Sequence, residues 1–329
     1  MSYNRLLLVL GAMCALAFGV AACGGEEGET SGENTAEESS AAEGGELSGT
    51  IRIDGSSTVA PLSEAAAEMF QAENPGVRVT VGTSGTGGGF EKFCAGETDI
   101  SDASRAIEDD EVAACEENGI AWEEVQVAND GLAVVINPEN DWASCLTVEQ
   151  LKTIWDRGSE VDNWNQVDPS FPDEEMQLFG AGTDSGTFDY FTDAVNGEEG
   201  RSRSDYQATE DDNVTVQGVS GSRGGIGYFG LSYVNENEGK IVAAEVDGGD
   251  GCVAPSSETV QSGDYTPLGR PLFVYPSDKA LQRPEVKAFV EFYIANQQAI
   301  TEQALFVPMT DEQVTASEEK VASLAGGGS

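Results

Sequence analysis

The feature that most constrains the fold is an alternation of strand-like and helix-like segments through most of the chain. Residues 50–53 are rich in β-branched side chains, residues 60–73 repeat apolar side chains at helical spacing, and residues 77–81 alternate as a strand. The glycine-rich run 82–89 then leads into a short predicted helix over 90–96. Alternating strands and helices predict mainly parallel sheets with helices packed on their faces.

Two strand-like stretches lie where the chain is expected to cross between two lobes. Residues 125–138 are predicted to form a long strand interrupted at 129–131 (Asn-Asp-Gly), and residues 270–277 a strand that carries the chain back. One amphipathic helix is predicted over 283–306. The sequence therefore predicts an α/β fold of two lobes, each a mostly parallel sheet flanked by helices, with a ligand in the interlobe cleft. The predicted boundaries are 48–130 for the first part of lobe 1, 131–267 for lobe 2, 268–325 for the return segment of lobe 1 and 326–329 for a flexible tail.

The N-terminal segment has the pattern of an export signal. Residues 1–22 carry an early cation, then an apolar run and small residues, which is too short and too early for a membrane span. The ending Val-Ala-Ala-Cys resembles a bacterial lipoprotein cleavage box, which implies that Cys23 becomes a lipidated N-terminus; cleavage by an ordinary signal peptidase is the alternative. Residues 23–47 are polar and acidic and are predicted to form a disordered tether, because they offer too little apolar surface to bury.

Four of the six cysteines lie beyond the signal and the cleavage box. An exported chain favours two disulfides over a metal site, and the sequence contains no histidine that would help to bind zinc. Three pairings are possible. We favour Cys94–Cys115 and Cys145–Cys252, because each pair would then stay within one lobe.

The charge balance excludes some partners but does not identify the ligand. The chain has 59 Asp and Glu residues against 16 Lys and Arg residues, for a formal net charge of −43. Such a surface argues against nucleic acid as a partner and against an anionic membrane face, so membrane contact is expected only through the lipid anchor. Adaptation to high ionic strength, where charges are screened, explains the acidity without a specific cation.

Glycine followed by hydroxyl residues recurs before predicted helices, at 56–59, 84–87 and 184–187, with a related run at 220–225. Helix N-termini offer unpaired N–H groups and a partial positive charge, and they bind anions without cationic side chains. Helix capping is the alternative explanation for any single run. Several such turns at one sheet edge indicate an anion site.

The same runs do not support catalysis. The segments at 82–86 and 218–222 lack the final glycine of a nucleophile elbow, no histidine is present to activate a serine, and no lysine completes a phosphate-loop motif. We therefore expect a binding protein without enzymatic activity, cofactor or metal. A secreted phosphoesterase is the enzymatic alternative.

The segments 51–71, 81–105, 184–191 and 224–234, in this order, resemble the phosphate-binding protein of bacterial ABC phosphate importers. The resemblance covers roughly residues 48 to 325. It implies a type II periplasmic-binding-protein fold and an extracytoplasmic lipoprotein. It also implies a monomer that binds inorganic phosphate and delivers it to the permease subunits. A receptor for another oxyanion, such as sulfate or molybdate, is the alternative within the same class.

The resemblance also implies a set of phosphate ligands that present hydroxyl or backbone N–H donors. They are Ser57 and Thr58 in the first loop, Ser84 with its neighbour Thr86 in the second, and Ser185, Gly186 and Thr187 in the other lobe. Asp102 matches a buried carboxylate, which accepts a hydrogen bond from protonated phosphate and repels fully ionised sulfate.

One position departs from the family pattern. An arginine is expected four residues before the serine of the second-lobe motif, and Ala181 stands there. We expect Arg105, which follows the loop that contains Asp102, to supply the missing cation, with Arg223 as the second choice. The alternative for both is a surface arginine paired with the abundant acids.

Overall fold

The computed structural model describes residues 46–183 and 185–326. The predicted signal segment 1–22, the lipidated Cys23 and nearly all of the predicted tether lie outside the described residues. The described residues cluster as one compact unit.

Strands and helices alternate along this unit. The strands are β1 (Gly49–Gly55), β2 (Val77–Gly82), β3 (Ile100–Ala103), β4 (Val125–Ile136), β5 (Cys145–Thr147), β6 (Gln177–Ala181), β7 (Gln207–Thr209), β8 (Gly225–Gly230), β9 (Val242–Ala243), β10 (Glu245–Asp247), β11 (Cys252–Val253) and β12 (Gly269–Pro276). The helices are α1 (Ala60–Glu73), α2 (Gly85–Cys94), α3 (Asp109–Glu117), α4 (Val148–Trp155), α5 (Trp164–Val167), α6 (Gly186–Phe191), α7 (Asp212–Gly221), α8 (Ser232–Glu236), α9 (Ser257–Ser262), α10 (Asp278–Leu281), α11 (Pro284–Ala295), α12 (Gln297–Ala304) and α13 (Asp311–Gly326), and a π-helical turn at Thr192–Asn196 continues α6. Within the described ranges, no helix combines the length and the apolar character needed to cross a membrane.

The main sheet has the order β2-β1-β3-β12-β4-β8-β6-β7, with β9 added beside β4. On one side β1 pairs in parallel with β2 and β3, and on the other β6 pairs in parallel with β7 and β8. The prediction that each lobe contains a mostly parallel sheet is therefore confirmed. The two crossing strands differ, because β12 is antiparallel to β3 and β4, and β4 is antiparallel to β8. Strands β11, β10 and β5 form a separate small sheet.

Each crossing strand contributes residues to two different hydrophobic cores. On β4, Val127 packs in one core and Leu132 in another. On the path of β12, Leu268 belongs to the second core and Leu272 to the first. A third, smaller cluster of the described residues includes Phe90 and Tyr275. The two larger cores, joined through β4 and β12, are the physical basis of a two-lobe fold.

The predicted interruption of the first crossing strand is wrong. Strand β4 runs through residues 129–131 without a break, and these residues pair with β12. The Asn129 amide N–H donates to the Val307 carbonyl at 2.8 Å, and a Cβ on Gly131 would come within 2.8 Å of the Val260 side chain. Turn-like residues stand in a strand here because distant segments supply the hydrogen bonds of Asn129 and leave no room for a side chain at Gly131.

Two helices differ from their predicted extents. Helix α2 begins at Gly85, so the glycine run forms its first turns; a Cβ on Gly89 would lie 2.5 Å from the Cα of Gly55, and glycine alone allows this contact. The predicted single helix 283–306 is divided into α11 and α12 at Asn296, which lets α12 contact α1.

The described residues contain two disulfides, with the pairing favoured from the sequence. Cys94 of α2 is joined to Cys115 of α3, and Cys145 of β5 to Cys252 of β11. The first cross-links two helices in the first lobe, and the second links two strands of the small sheet.

Candidate ligand-binding cleft

A cavity of ≈ 770 Å³ lies between the loops that follow β1, β2 and β3 and the segment that begins with α6. Its lining draws on both lobes and on the second crossing strand. The polar and charged residues among the lining are Ser56, Ser57, Thr58, Ser84, Thr86, Ser104, Arg105 and Glu108 from the first lobe, Asp189, Tyr190, Asp193 and Glu199 from the second, and Arg270 from β12.

The loop after β1 is shaped by its first residue. Gly55 has φ +150°, and a Cβ there would collide with the backbone carbonyl of Asp102, so only glycine fits. The Ser56 N–H donates to that carbonyl at 2.9 Å, and the Thr58 N–H donates to the Ser56 hydroxyl at 3.2 Å. The loop therefore holds the predicted ligands Ser57 and Thr58 at the N-terminal end of α1, facing the cavity.

The second predicted loop is held by a partly exposed ion pair. Ser84 precedes α2, and its N–H and hydroxyl both donate to the Asp54 carboxylate. Lys92 contacts the other oxygen of Asp54 at 2.6 Å. Burial raises the pKa of the Asp54 carboxyl, but the hydrogen bonds from Lys92 and Ser84 outweigh it and lower the pKa, so Asp54 stays ionised. Ser84 is thus fixed at the cavity edge by a group outside the cavity.

Arg105 lines the cavity but is already neutralised. Its two terminal nitrogens donate to the two oxygens of Glu111, both at 2.8 Å, and its Nε lies 3.2 Å from Glu108. Its neighbour Ser104 lies 3.0 Å from the Thr86 hydroxyl, which ties the second loop to the loop after β3. Arg105 therefore offers little free charge to a ligand.

The second-lobe motif lies against the first lobe. Ser185 caps α6 by accepting a hydrogen bond from the Thr187 N–H, and Gly186 is so close to Thr58 that a Cβ would lie 3.0 Å from the Thr58 hydroxyl. Among the described residues, Ser185, Gly186 and Thr187 are not part of the cavity lining. Asp189, one turn further along α6, lines the cavity and accepts from the Ser57 hydroxyl at 3.4 Å.

Asp102 is buried beneath the cleft and does not line the described cavity. One carboxyl oxygen accepts from the Ser63 hydroxyl at 2.9 Å, while the other is buried without a partner among the described residues. Burial raises the pKa of Asp102 to about 8, and the hydrogen bond from Ser63 opposes this shift. Burial thus favours the protonated carboxyl group, whereas the Ser63 hydroxyl favours the ionised one.

Arg270 is the cleft residue that the sequence analysis missed. It lies on β12 with a side chain 17% exposed, and its guanidinium donates to the Thr58 hydroxyl at 3.2 Å and to the Ser104 carbonyl at 3.2 Å. It pairs with Asp130, its direct neighbour on β4, at 3.4 Å, and stacks on the Tyr190 ring with its central carbon 3.4 Å from the ring centroid. Arg270 thus contacts both lobes and both crossing strands.

The second candidate cation, Arg223, lies elsewhere. It pairs with Glu174 at 3.0 Å, stacks on Trp142, and lines a different surface cavity of ≈ 400 Å³ together with Lys240. The structure therefore does not bring Arg223 together with the first-lobe loops.

Carboxylates form one wall of the cleft. Burial is the main cause that raises the pKa of Asp189, which Ser57 and Arg270 oppose. Burial also raises the pKa of Glu199, and Asp189 and Asp193 add to the shift. A fully ionised ligand would meet repulsion at this wall, and attraction is confined to the Arg270 side.

The described residues contain one close group of potential metal ligands, Cys145, Glu245 and Cys252. The two cysteines form a disulfide with each other, so they offer no thiolate to a metal.

The chain was compared with known proteins. The family model described as PBP superfamily domain matches residues 40–297, which include every cavity residue named above. Protein SphX of Synechococcus elongatus is 46% identical over 276 residues, 83% of this chain and 81% of that protein. Phosphate-binding protein PstS of Staphylococcus saprophyticus is 36% identical over 287 residues, 87% of this chain and 88% of that protein. The crystal structure of a possible phosphate binding protein from Planctomyces limnophilus has a TM-score of 0.82 and 47% identity, and the match covers 85% of this chain and 99% of that chain.

Proposed function

We propose that this chain, which belongs to the PBP superfamily, binds inorganic phosphate in the cleft between its lobes and delivers it to the permease of an ABC-type importer. In this proposal it acts outside the cytoplasm as a monomer, is anchored through lipidated Cys23 and catalyses no reaction.

The observation that carries the proposal is the meeting of a partly buried arginine with hydroxyl loops in one cavity. Arg270 lies within hydrogen-bond distance of Thr58, and the loops that hold Ser57 and Ser84 line the same space. A planar guanidinium with hydroxyl and N–H donors suits a tetrahedral oxyanion, as in many phosphate sites. The anion is then held by local groups, and the overall acidity of the chain does not prevent binding.

The cavity is much larger than a single phosphate ion, so we propose that binding closes the cleft. Gly186 already lies against Thr58 at one end of the cleft. Closure would bring the N-terminus of α6, with Ser185 and Thr187, over the ligand. The absent arginine at Ala181 is replaced in this proposal by Arg270, which reaches the ligand from β12.

Calorimetric titration of the purified protein tests the proposal. Phosphate should bind with micromolar affinity or better, which corresponds to about −8 kcal/mol and is within the reach of several charge-assisted hydrogen bonds. Incubation with a chromogenic phosphate ester should give no turnover. An absence of heat with phosphate, or a steady release of product from the ester, would contradict the proposal.

A further inference from the structure

A buried chain of hydroxyl groups connects helix α11 to the carboxyl group beneath the cleft. The Tyr293 hydroxyl lies 3.3 Å from the Ser63 hydroxyl, which in turn donates to Asp102 at 2.9 Å. All three side chains are at most 1% exposed. The hydrogen bonds are therefore shielded from water and depend only on one another.

The direction of the protons in this chain follows from the number of donors. The Ser63 hydroxyl has one proton and uses it toward Asp102, so its bond with Tyr293 requires the tyrosine to donate. Burial and the nearby Asp102 both raise the pKa of the Tyr293 phenol, so it keeps its proton and can serve as that donor. The protons of both hydroxyls thus point toward the carboxyl group.

This arrangement makes the two oxygens of Asp102 unequal. Oδ1 is occupied by Ser63, while Oδ2 is buried and has no partner among the described residues. The Asp102 carbonyl accepts from the Ser56 N–H in the loop after β1, so the orphan oxygen belongs to a residue that is joined to the cavity-lining loop and can accept from a ligand that reaches it.

We propose that Tyr293 and Ser63 are specificity-determining positioning residues: they hold Asp102 so that Oδ2 accepts the hydrogen of a protonated phosphate and disfavours sulfate. The inference rests on the proposed function. Neither hydroxyl touches the ligand in this account, because both act through Asp102.

The charged groups around Asp102 explain why such support is needed. Burial favours its protonated form, and Asp54 and Glu64 add repulsion, while Ser63 favours the ionised form. The Tyr293 hydroxyl strengthens Ser63 as a donor. Without that hydroxyl, Asp102 should keep its proton to higher pH, and a protonated Oδ2 donates to sulfate instead of rejecting it.

The substitution Tyr293→Phe tests the inference, with Tyr265→Phe as the matched control. Tyr265 is likewise buried, but its hydroxyl has no partner among the described residues. Phosphate and sulfate affinities of the whole protein are measured by calorimetry between about pH 6 and pH 9. The ratio of sulfate Kd to phosphate Kd should fall about fivefold at neutral pH in Tyr293→Phe, the factor expected for one neutral hydrogen bond. The pH dependence of this ratio should move to higher pH in Tyr293→Phe. In Tyr265→Phe, both the ratio and its pH dependence should match those of the wild type.

An unchanged ratio in Tyr293→Phe, or a parallel loss of both affinities, would overturn the inference and indicate a purely structural hydroxyl. If that variant does not fold by circular dichroism, Ser63→Ala, which removes a single buried oxygen, decides by the same ratio. A wild-type protein that does not bind phosphate would instead refute the proposed function, so the two failures are distinguishable.

Discussion

Removal of the Arg270 charge should weaken phosphate binding strongly. The experiment has to take account of the ion pair that Arg270 forms with Asp130. Asp130 is 6% exposed and pairs with Arg270, so Arg270→Gln alone leaves a buried carboxyl without its cation. Burial already raises the pKa of Asp130, and Arg270 opposes this shift. The double variant Asp130→Asn/Arg270→Gln removes both charges and keeps a neutral pair across the two crossing strands.

The magnitude follows from the contacts of the guanidinium. Two charge-assisted hydrogen bonds to an anion contribute about 1.5–3 kcal/mol each. Part of this is offset, because Arg270 must loosen its present bonds to Thr58 and the Ser104 carbonyl. A net loss of about 2–3 kcal/mol corresponds to a roughly 30- to 150-fold higher Kd.

The assay is calorimetric titration of the double variant beside Asp130→Asn and Arg105→Gln. Arg105 is the matched control because it lines the same cavity but is neutralised by Glu111 and Glu108. Its replacement should change the Kd less than about threefold, since a neutralised and partly exposed charge contributes little. A large loss in Arg105→Gln with full affinity in the double variant would refute the assignment of the cation to Arg270.

Three further predictions follow from the packing. The raised pKa of Asp102, about 8 against an ordinary 3.8, means that its contribution to stability is present at low pH and is lost as pH rises toward 8. The free energy of unfolding of Asp102→Asn relative to the wild type should therefore rise from pH 5 to pH 8 without ligand, by up to about 1.4 kcal/mol per pH unit, and denaturant unfolding that gives a constant difference would contradict the shift. Gly186→Ala should weaken phosphate binding about tenfold, because its Cβ would lie 3.0 Å from the Thr58 hydroxyl; titration with unchanged affinity would show that this contact is irrelevant to closure. The double variant Cys145→Ser/Cys252→Ser, which opens a separation of 107 residues, should lose roughly 1.4 kcal/mol more stability in denaturant unfolding than a variant lacking the other disulfide, with its separation of 21 residues; equal losses would contradict the loop-entropy argument.

Local patterns were sufficient to predict the lobes and the donor loops. Strand and helix periodicity determined the parallel β1, β2 and β3 and their counterparts in the second lobe, and the resemblance to phosphate-binding proteins is confirmed by the relatives. Ser57, Thr58 and Ser84, which line the cavity, could be selected as candidates because glycine and hydroxyl residues stand next to each other in sequence before a helix. Such signals lie within a few consecutive residues, so they can be recognised without knowledge of the fold.

Arg270 could not be recognised in the same way. Its partners Asp130 and Thr58 are 140 and 212 residues away, and its own surroundings predict only a strand. One signal was available in the sequence. Asp130 and Arg270 lie in the two predicted crossing strands, and residues of opposite charge on neighbouring strands are expected to pair. The continuity of β4 through Asn129 was hidden for the same reason, since its partner Val307 comes from the far end of the chain.

The central claim is that this acidic protein holds phosphate through a local, insulated site. Titration of the wild-type protein with phosphate and with sulfate, at low and at high salt, tests it most directly. The account predicts phosphate binding that is micromolar or tighter and nearly independent of salt, since buried contacts are screened little, and much weaker sulfate binding. No phosphate binding at either salt concentration, or equal affinity for the two anions, would contradict it.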